Sequence, residues 1–213
     1  MNTIDRILLG SGLLIPLWLF AGVVLTALGY PGYSHLDQAM SQLGAVEAPT
    51  HHYSAWVNNF PLGVLFTLFA FGIARRFAGS RYAFFSAALI LLHGLASIAA
   101  GAFSCDEGCA PQQPSVSQQI HNLAGLVMFL SLVVACALWW GLSKRLLSSP
   151  SFGWFSALCV VLALATVGMM AKAFGEGHMF GLYQRLNYGV SVVWVAALAW
   201  IALRSKAATA SVC

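Results

Sequence analysis

The chain has 213 residues, 60% of them hydrophobic and only 8% charged, with a mean hydropathy of +0.81. Soluble domains carry about 25% charged residues, so this composition excludes an ordinary soluble fold and points to a polytopic membrane protein. The net charge of +4 is no nucleic-acid signal, because the basic residues stand at the ends of apolar runs, and no polar segment is long enough for a separate soluble domain.

A spanning helix needs about 20 mostly apolar residues. Six runs qualify, at 7–30, 57–75, 82–103, 119–142, 152–174 and 182–204. The predicted fold is therefore all-α: one six-span membrane bundle covering residues 1–213, with a short interfacial helix after the first span. The first run contains Pro16, which is expected to kink it. It reads as a span rather than a signal peptide, being long, carrying Asp5 beside Arg6 and lacking a small-x-small cleavage site. In the polar connection that follows, Ser34 and Asp37 resemble a capping box with Asp at N3. They would open a helix HLDQAMSQL, closed by Gly44 at C′. His51, His52, Tyr53 and Trp56 suit the headgroup level. Span two ends at Arg75-Arg76 and, being short, should begin a few residues earlier. Span three carries His93 near its middle. Span four ends at Lys144-Arg145. Span five has Lys172 at its end and Gly175 as its stop, and span six is followed by Arg204 and Lys206.

Arg6, Arg75, Arg76, Arg81, Lys144, Arg145, Arg204 and Lys206 then fall on one side, Lys172 and Arg185 on the other. The positive-inside rule predicts both termini in the cytoplasm, with the chain integral to the cell (inner) membrane.

Between spans three and four lies the longest polar stretch, CDEGCAPQQPSVSQQIH, from Cys105 to His121. Outside the cytoplasm Cys105 and Cys109 would be free to form a disulfide, one that shapes the turn more than it stabilises the fold. A metal site, lacking a second cysteine knuckle, and free thiols are the alternatives. Cys136 and Cys159 read as apolar packers, and Cys213 as a reduced cytoplasmic thiol. His121 opens span four and is expected to pair with Asp106 or Glu107, holding the hairpin down. The same carboxylate–histidine combination is what a general base or metal site uses, so Asp106 and His121 are the candidate catalytic residues.

His93, deep in a span, shares a face with Ser86, Ser97 and Ala100. An interhelical hydrogen bond worth about 1 kcal/mol and a ligand or proton-path role are its two readings. In span six, Gln184, Asn187 and Ser191 form one polar face beside Arg185 and Tyr188. Arg185 either pairs with Glu176 or clamps a carboxylate, phosphate or lipid headgroup. The candidate ligand-binding set is His35, Asp37, Ser41, His93, Gln184, Arg185 and Asn187. The pattern demands no cofactor. Zinc is an option with His35, Asp106, His121 and His178 as candidate ligands, though no HExxH pair is present and the ligands would have to converge from separate segments.

The segments YSHLDQAMSQLGA, Asn58-Asn59, FSCDEGC, IHNLAGLVMFL and GLYQRLNYGVSVVW, in that order, resemble the DUF998 family of multi-pass membrane proteins. The resemblance implies Ser41, Leu43, Gly44, Asp106, His121 and Arg185 as signature positions, all at the outer side. It carries no activity. Ser104 stands where the family form FPxD has proline, so the cysteines flanking Asp106 are a local feature.

The expected function is binding or handling of a lipid or small amphiphile in an outward-facing polar pocket. A lipid-directed, metal-dependent hydrolase is the alternative, and a small-solute transporter or accessory subunit a further one. Expected partners are membrane lipids, with a membrane protein or a second copy of the chain as alternatives, and no nucleic acid.

Overall fold

The computed structural model describes residues 1–205; Lys206 and Cys213 lie outside them. Within that range the chain is helical and has no strand. The helices are α1 (Thr3–Leu28), α2 (His51–Val57), α3 (Asn59–Arg76), α4 (Arg81–Ala102), α5 (Val116–Leu146), α6 (Pro150–Glu176) and α7 (Phe180–Arg204). Six are long and apolar enough to cross a membrane, with α2 and α3 counted together.

Local chemistry sets several helix boundaries. Asn2 caps α1 by accepting from the Asp5 amide at 2.8 Å, Ser80 accepts from Ala83 N at 3.3 Å, and Ser115 accepts from Gln118 N at 3.1 Å. Pro150 opens α6, where its missing N–H costs nothing. The same helix ends at Gly177, whose φ of 69° is left-handed, two residues beyond the predicted stop at Gly175. α1 runs through Pro16 as one continuous helix.

Span two begins earlier than its apolar run, at His51, and bends at Asn58. Pro61 accounts for the bend, because it cannot donate to the carbonyl four residues back, that of Val57. The Trp18 indole of α1 donates to that carbonyl instead, at 2.8 Å. Asn58 Nδ2 in turn donates to Thr26 Oγ1 at 3.0 Å and to Ser54 O at 3.1 Å. The proline at the joint thus leaves the Val57 carbonyl without its helical donor, and a side chain of the first span supplies one.

The spans form a closed ring in the order α1–α3–α4–α5–α6–α7, with α7 packing back on α1. Close approach is built from small residues. A Cβ on Gly63 of α3, for example, would lie 2.7 Å from the Gly94 carbonyl of α4.

Because the spans alternate in direction, the ring has two ends. At the end holding the N-terminus lie Arg6, Arg75, Arg76, Arg81, Lys144, Arg145 and Arg204, tied together in part by Arg75 Nε to Asp5 Oδ1 at 2.8 Å and Arg76 to Ser205 O at 2.8 Å. The half of the ring nearest this end is filled by buried Phe69, Ile73, Trp139, Trp194 and Leu198. The other end carries the connections 29–50, 103–115 and 177–179 and is called here the hairpin face.

Candidate functional site

In the half of the ring nearest the hairpin face the core gives way to a cavity of about 320 Å³, within the range of small-molecule sites, roughly 300–1,000 Å³. All six spans contribute to its wall. Leu19, Val23, Leu62, Phe129, Leu132 and Met170 supply apolar surface. Among the described residues no Asp, Glu, Lys or Arg lines it.

Two connections roof the cavity. In the first, the predicted helix HLDQAMSQL does not form. Residues 35–37 are turn, and only Met40–Gly44 wind as a 3-10 helix. The capping-box contact survives locally, with the Asp37 amide donating to Ser34 Oγ at 3.2 Å. The backbone acceptors that a helix would have used are taken by α7 instead: Leu182 N donates to Leu36 O at 2.8 Å and Gly181 N to Asp37 O at 3.3 Å. Arg185 donates to Gln38 O at 3.0 Å, Gly181 O at 2.8 Å and Tyr33 Oη at 2.7 Å. The Gln184 amide oxygen accepts from Met40 N at 2.7 Å. Gly181 is required here, since a Cβ would stand 2.8 Å from both His35 O and Arg185 Nη1.

Arg185 therefore does not pair with Glu176, which sits 3.7 Å from Lys172. Its bonds go to neutral acceptors, and its Nε is buried without a partner. Asp37 lies at the start of α7, taking the Met179 amide at 3.0 Å and His178 Nδ1 at 2.6 Å. The Met179 amide, then the Ser34 hydroxyl, hold its carboxyl below the usual range. Burial, with Arg185 nearby, lowers the His35 pKa. Burial raises that of Tyr33, against the pull of Arg185.

The second connection is the Cys105–His121 hairpin. Cys105 and Cys109 lie at disulfide distance, their Cα atoms 5.0 Å apart. The hairpin is fastened to the first connection by Val46 N to Cys105 O at 2.9 Å and Gln42 Nε2 to Gly108 O at 2.8 Å. The expected pairing of His121 with Asp106 or Glu107 is absent. Asp106 instead accepts from the Ser115 hydroxyl at 2.6 Å and the Ser115 amide at 2.9 Å, and these two bonds, in that order, hold its carboxyl below the usual range. His121 Nδ1 donates to the Ala100 and Phe103 carbonyls at 3.0 and 2.9 Å. The reason is positional: His121 stands over the last turn of α4, whose carbonyls have no helical partner.

Deeper in the cavity, His93 Nδ1 donates to Met128 O at 2.9 Å, and its Nε2 lies 3.0 Å from the Tyr188 hydroxyl. This joins α4, α5 and α7 across the ring. Asn187 Nδ2 donates to Ala163 O at 2.8 Å and to Thr166 Oγ1 at 2.9 Å.

A family model described as a protein of unknown function (DUF998) matches residues 13–201. The chain belongs to the DUF998 family. No curated protein and no solved structure matches it. In this DUF998 chain the positions implied by the resemblance divide by role. Ser41, Gly44 and His121 line the cavity and Leu43 is fully buried beside it. Asp106 and Arg185 secure the two connections from outside the cavity wall.

Of the remaining candidates, His93, Gln184 and Asn187 line the cavity, whereas His35 and Asp37 belong to the first connection. The four candidate zinc ligands do not converge: among the described residues no three of His, Cys, Asp or Glu are grouped to hold a metal. Sequence reasoning passed over Gln118, buried in the hairpin, which takes the Asp106 amide at 2.8 Å and donates to Asn122 at 2.8 Å. It also passed over Thr50, whose hydroxyl donates to Leu43 O. Glutamine three residues after the Ser115 cap was the available signal for the first; the second had none.

Proposed function

We propose that this DUF998 protein binds a lipid or small amphiphile in the cavity beneath the hairpin face. The observation that carries this reading is the division of the ring: one half filled with large apolar side chains, the other holding a roofed, mostly apolar cavity of about 320 Å³ with a few polar groups. Such a combination suits an apolar ligand oriented by a small number of hydrogen bonds. The distribution of arginine and lysine supports an orientation with the hairpin face outside, so that the cavity serves the outer leaflet of the inner membrane.

A hydrolase would need Asp106 and His121 to act together, yet each is committed to a separate backbone or hydroxyl partner. A transporter would need a path past the packed half of the ring. The test is lipid analysis by native mass spectrometry of the detergent-purified chain beside Gly125→Phe. Gly125 lines the cavity, and a Cβ there meets nothing within 4 Å, so the ring of phenylalanine can enter without displacing backbone. A lipid or amphiphile retained by the wild type and lost from Gly125→Phe is the expected result. Identical retention by both refutes the reading.

A further inference from the structure

The deep wall of the cavity has polar groups whose hydrogens are already committed. The Met128 carbonyl can only accept, so His93 Nδ1 must carry the proton facing it. A charged imidazolium in this buried position, with no carboxylate lining the cavity, would be costly. The ring is neutral, its Nε2 is an acceptor, and the Tyr188 hydroxyl must donate to it. Tyr188 Oη is left with lone pairs and no hydrogen. Asn187 is fixed in the same way: the Ala163 carbonyl and Thr166 Oγ1, itself donating to Leu162 O, take both Nδ2 hydrogens, and Oδ1 remains an acceptor. Ser97 Oγ donates to Asn59 O at 3.0 Å and Ser191 Oγ to Asn187 O at 3.3 Å. His93, Ser97, Asn187, Tyr188 and Ser191 line the cavity. Nearer the roof the pattern reverses, because Gln184 uses its oxygen on Met40 N and keeps its amide hydrogens.

From this we infer that the ligand is an uncharged amphiphile carrying a hydroxyl, a long-chain alcohol or glycerol-type lipid, that enters hydroxyl first and donates to the acceptors contributed by Tyr188 and Asn187. The inference rests on the cavity-binding reading above and narrows it. An anionic head would meet lone pairs rather than hydrogens in the deep wall. An ammonium head would leave water with no carboxylate to neutralise it. An ether or ester of the same length offers no hydrogen to donate.

The test uses the full chain in a mild detergent, titrated with 1-decanol, decyl methyl ether, decanoate and decylammonium, with saturable shifts of the thermal unfolding midpoint as the readout. The alcohol is expected to bind at least about tenfold tighter than the ether, the cost of an unmade buried hydrogen bond, and neither ion to saturate. Tyr188→Phe should narrow the gap between alcohol and ether; should that variant fail to fold, the comparison on the wild type carries the test alone. Gly125→Phe should weaken decanol binding. Equal affinity for alcohol and ether, or tighter binding of either ion, overturns the inference and leaves the cavity reading standing. Decanol binding that Gly125→Phe does not weaken overturns the inference, because the alcohol then sits elsewhere. No saturable binding by any of the four overturns both.

Discussion

Gly181→Ala isolates the docking of the first connection on α7. Intrinsic propensity favours the substitution, since alanine inside a helix is worth roughly 0.5–1 kcal/mol over glycine. The structure opposes it. The new methyl group would overlap Gln38 O and stand 2.8 Å from His35 O and Arg185 Nη1. Overpacking against backbone that cannot yield costs about 1–3 kcal/mol. If residues 35–38 lift away, the bonds from Leu182 N and Gly181 N to Leu36 O and Asp37 O are lost, at about 1 kcal/mol each. The balance is a destabilisation of roughly 2 kcal/mol. For a chain of this size that corresponds to about 4–8 °C in the unfolding midpoint. Tryptophan fluorescence on heating in detergent measures it. Gly189→Ala in the same helix is the control, because a Cβ there meets nothing within 4 Å; it should leave the midpoint unchanged or raise it slightly. Equal midpoints for the two variants would refute the docking geometry.

Arg185→Gln should free the same connection without adding bulk: limited proteolysis is expected to cut within residues 31–44 several times faster than in the wild type, with the spans intact. Reduction of Cys105–Cys109 should cost about 2 kcal/mol at most, because the closed loop is short, and mass spectrometry with a thiol alkylator should label both cysteines only after reductant. Asp37 and Asp106 both have folded pKa values below the usual carboxylate value of 3.8, so the unfolded chain binds protons first as the pH drops. Their stabilisation is complete above the unfolded value and is lost as pH falls through the folded ones. Unfolding midpoints should therefore stay level from pH 6 to about 5 and decline below about pH 4, and that decline should be shallower in Asp37→Asn and Asp106→Asn; a steeper decline in the variants would contradict the bonding described.

The spans were legible because membrane insertion is decided by residues close in sequence: length, hydropathy and the arginines and lysines at their ends. Span two read short for a physical reason. His51, His52, Ser54 and Asn58 lower its hydropathy, although other parts of the fold engage some of their polar atoms, as Gly44 O does His51 Nδ1 and Thr26 Oγ1 does Asn58 Nδ2. The first connection misled local reasoning because Leu36, Asp37 and Gln38 are claimed by residues more than 140 positions away, and no local propensity reports that. For the hairpin, proximity suggested Asp106 with His121. Each found a nearer unsatisfied partner instead, the Ser115 amide for one and the end of α4 for the other. His93, Gln184 and Asn187 could be proposed from helical spacing, but the direction of each hydrogen required the partners supplied by other spans.

The ring has a consequence for how the molecule is made. α1 leaves synthesis roughly 10–35 s before α7 is complete, at about 5–20 residues per second, yet α1 closes against α7. Throughout that interval the surface around Gly12 of α1 has Phe69 of α3 on one side, while the side destined for Ala199 of α7 stays uncovered. A ribosome stalled before the last span would therefore leave an open horseshoe in the bilayer, with the cavity lacking the wall that α7 supplies. Such a product presents His93, Ser97 and Asn59 of the cavity wall to the acyl chains, groups that closure by α7 encloses.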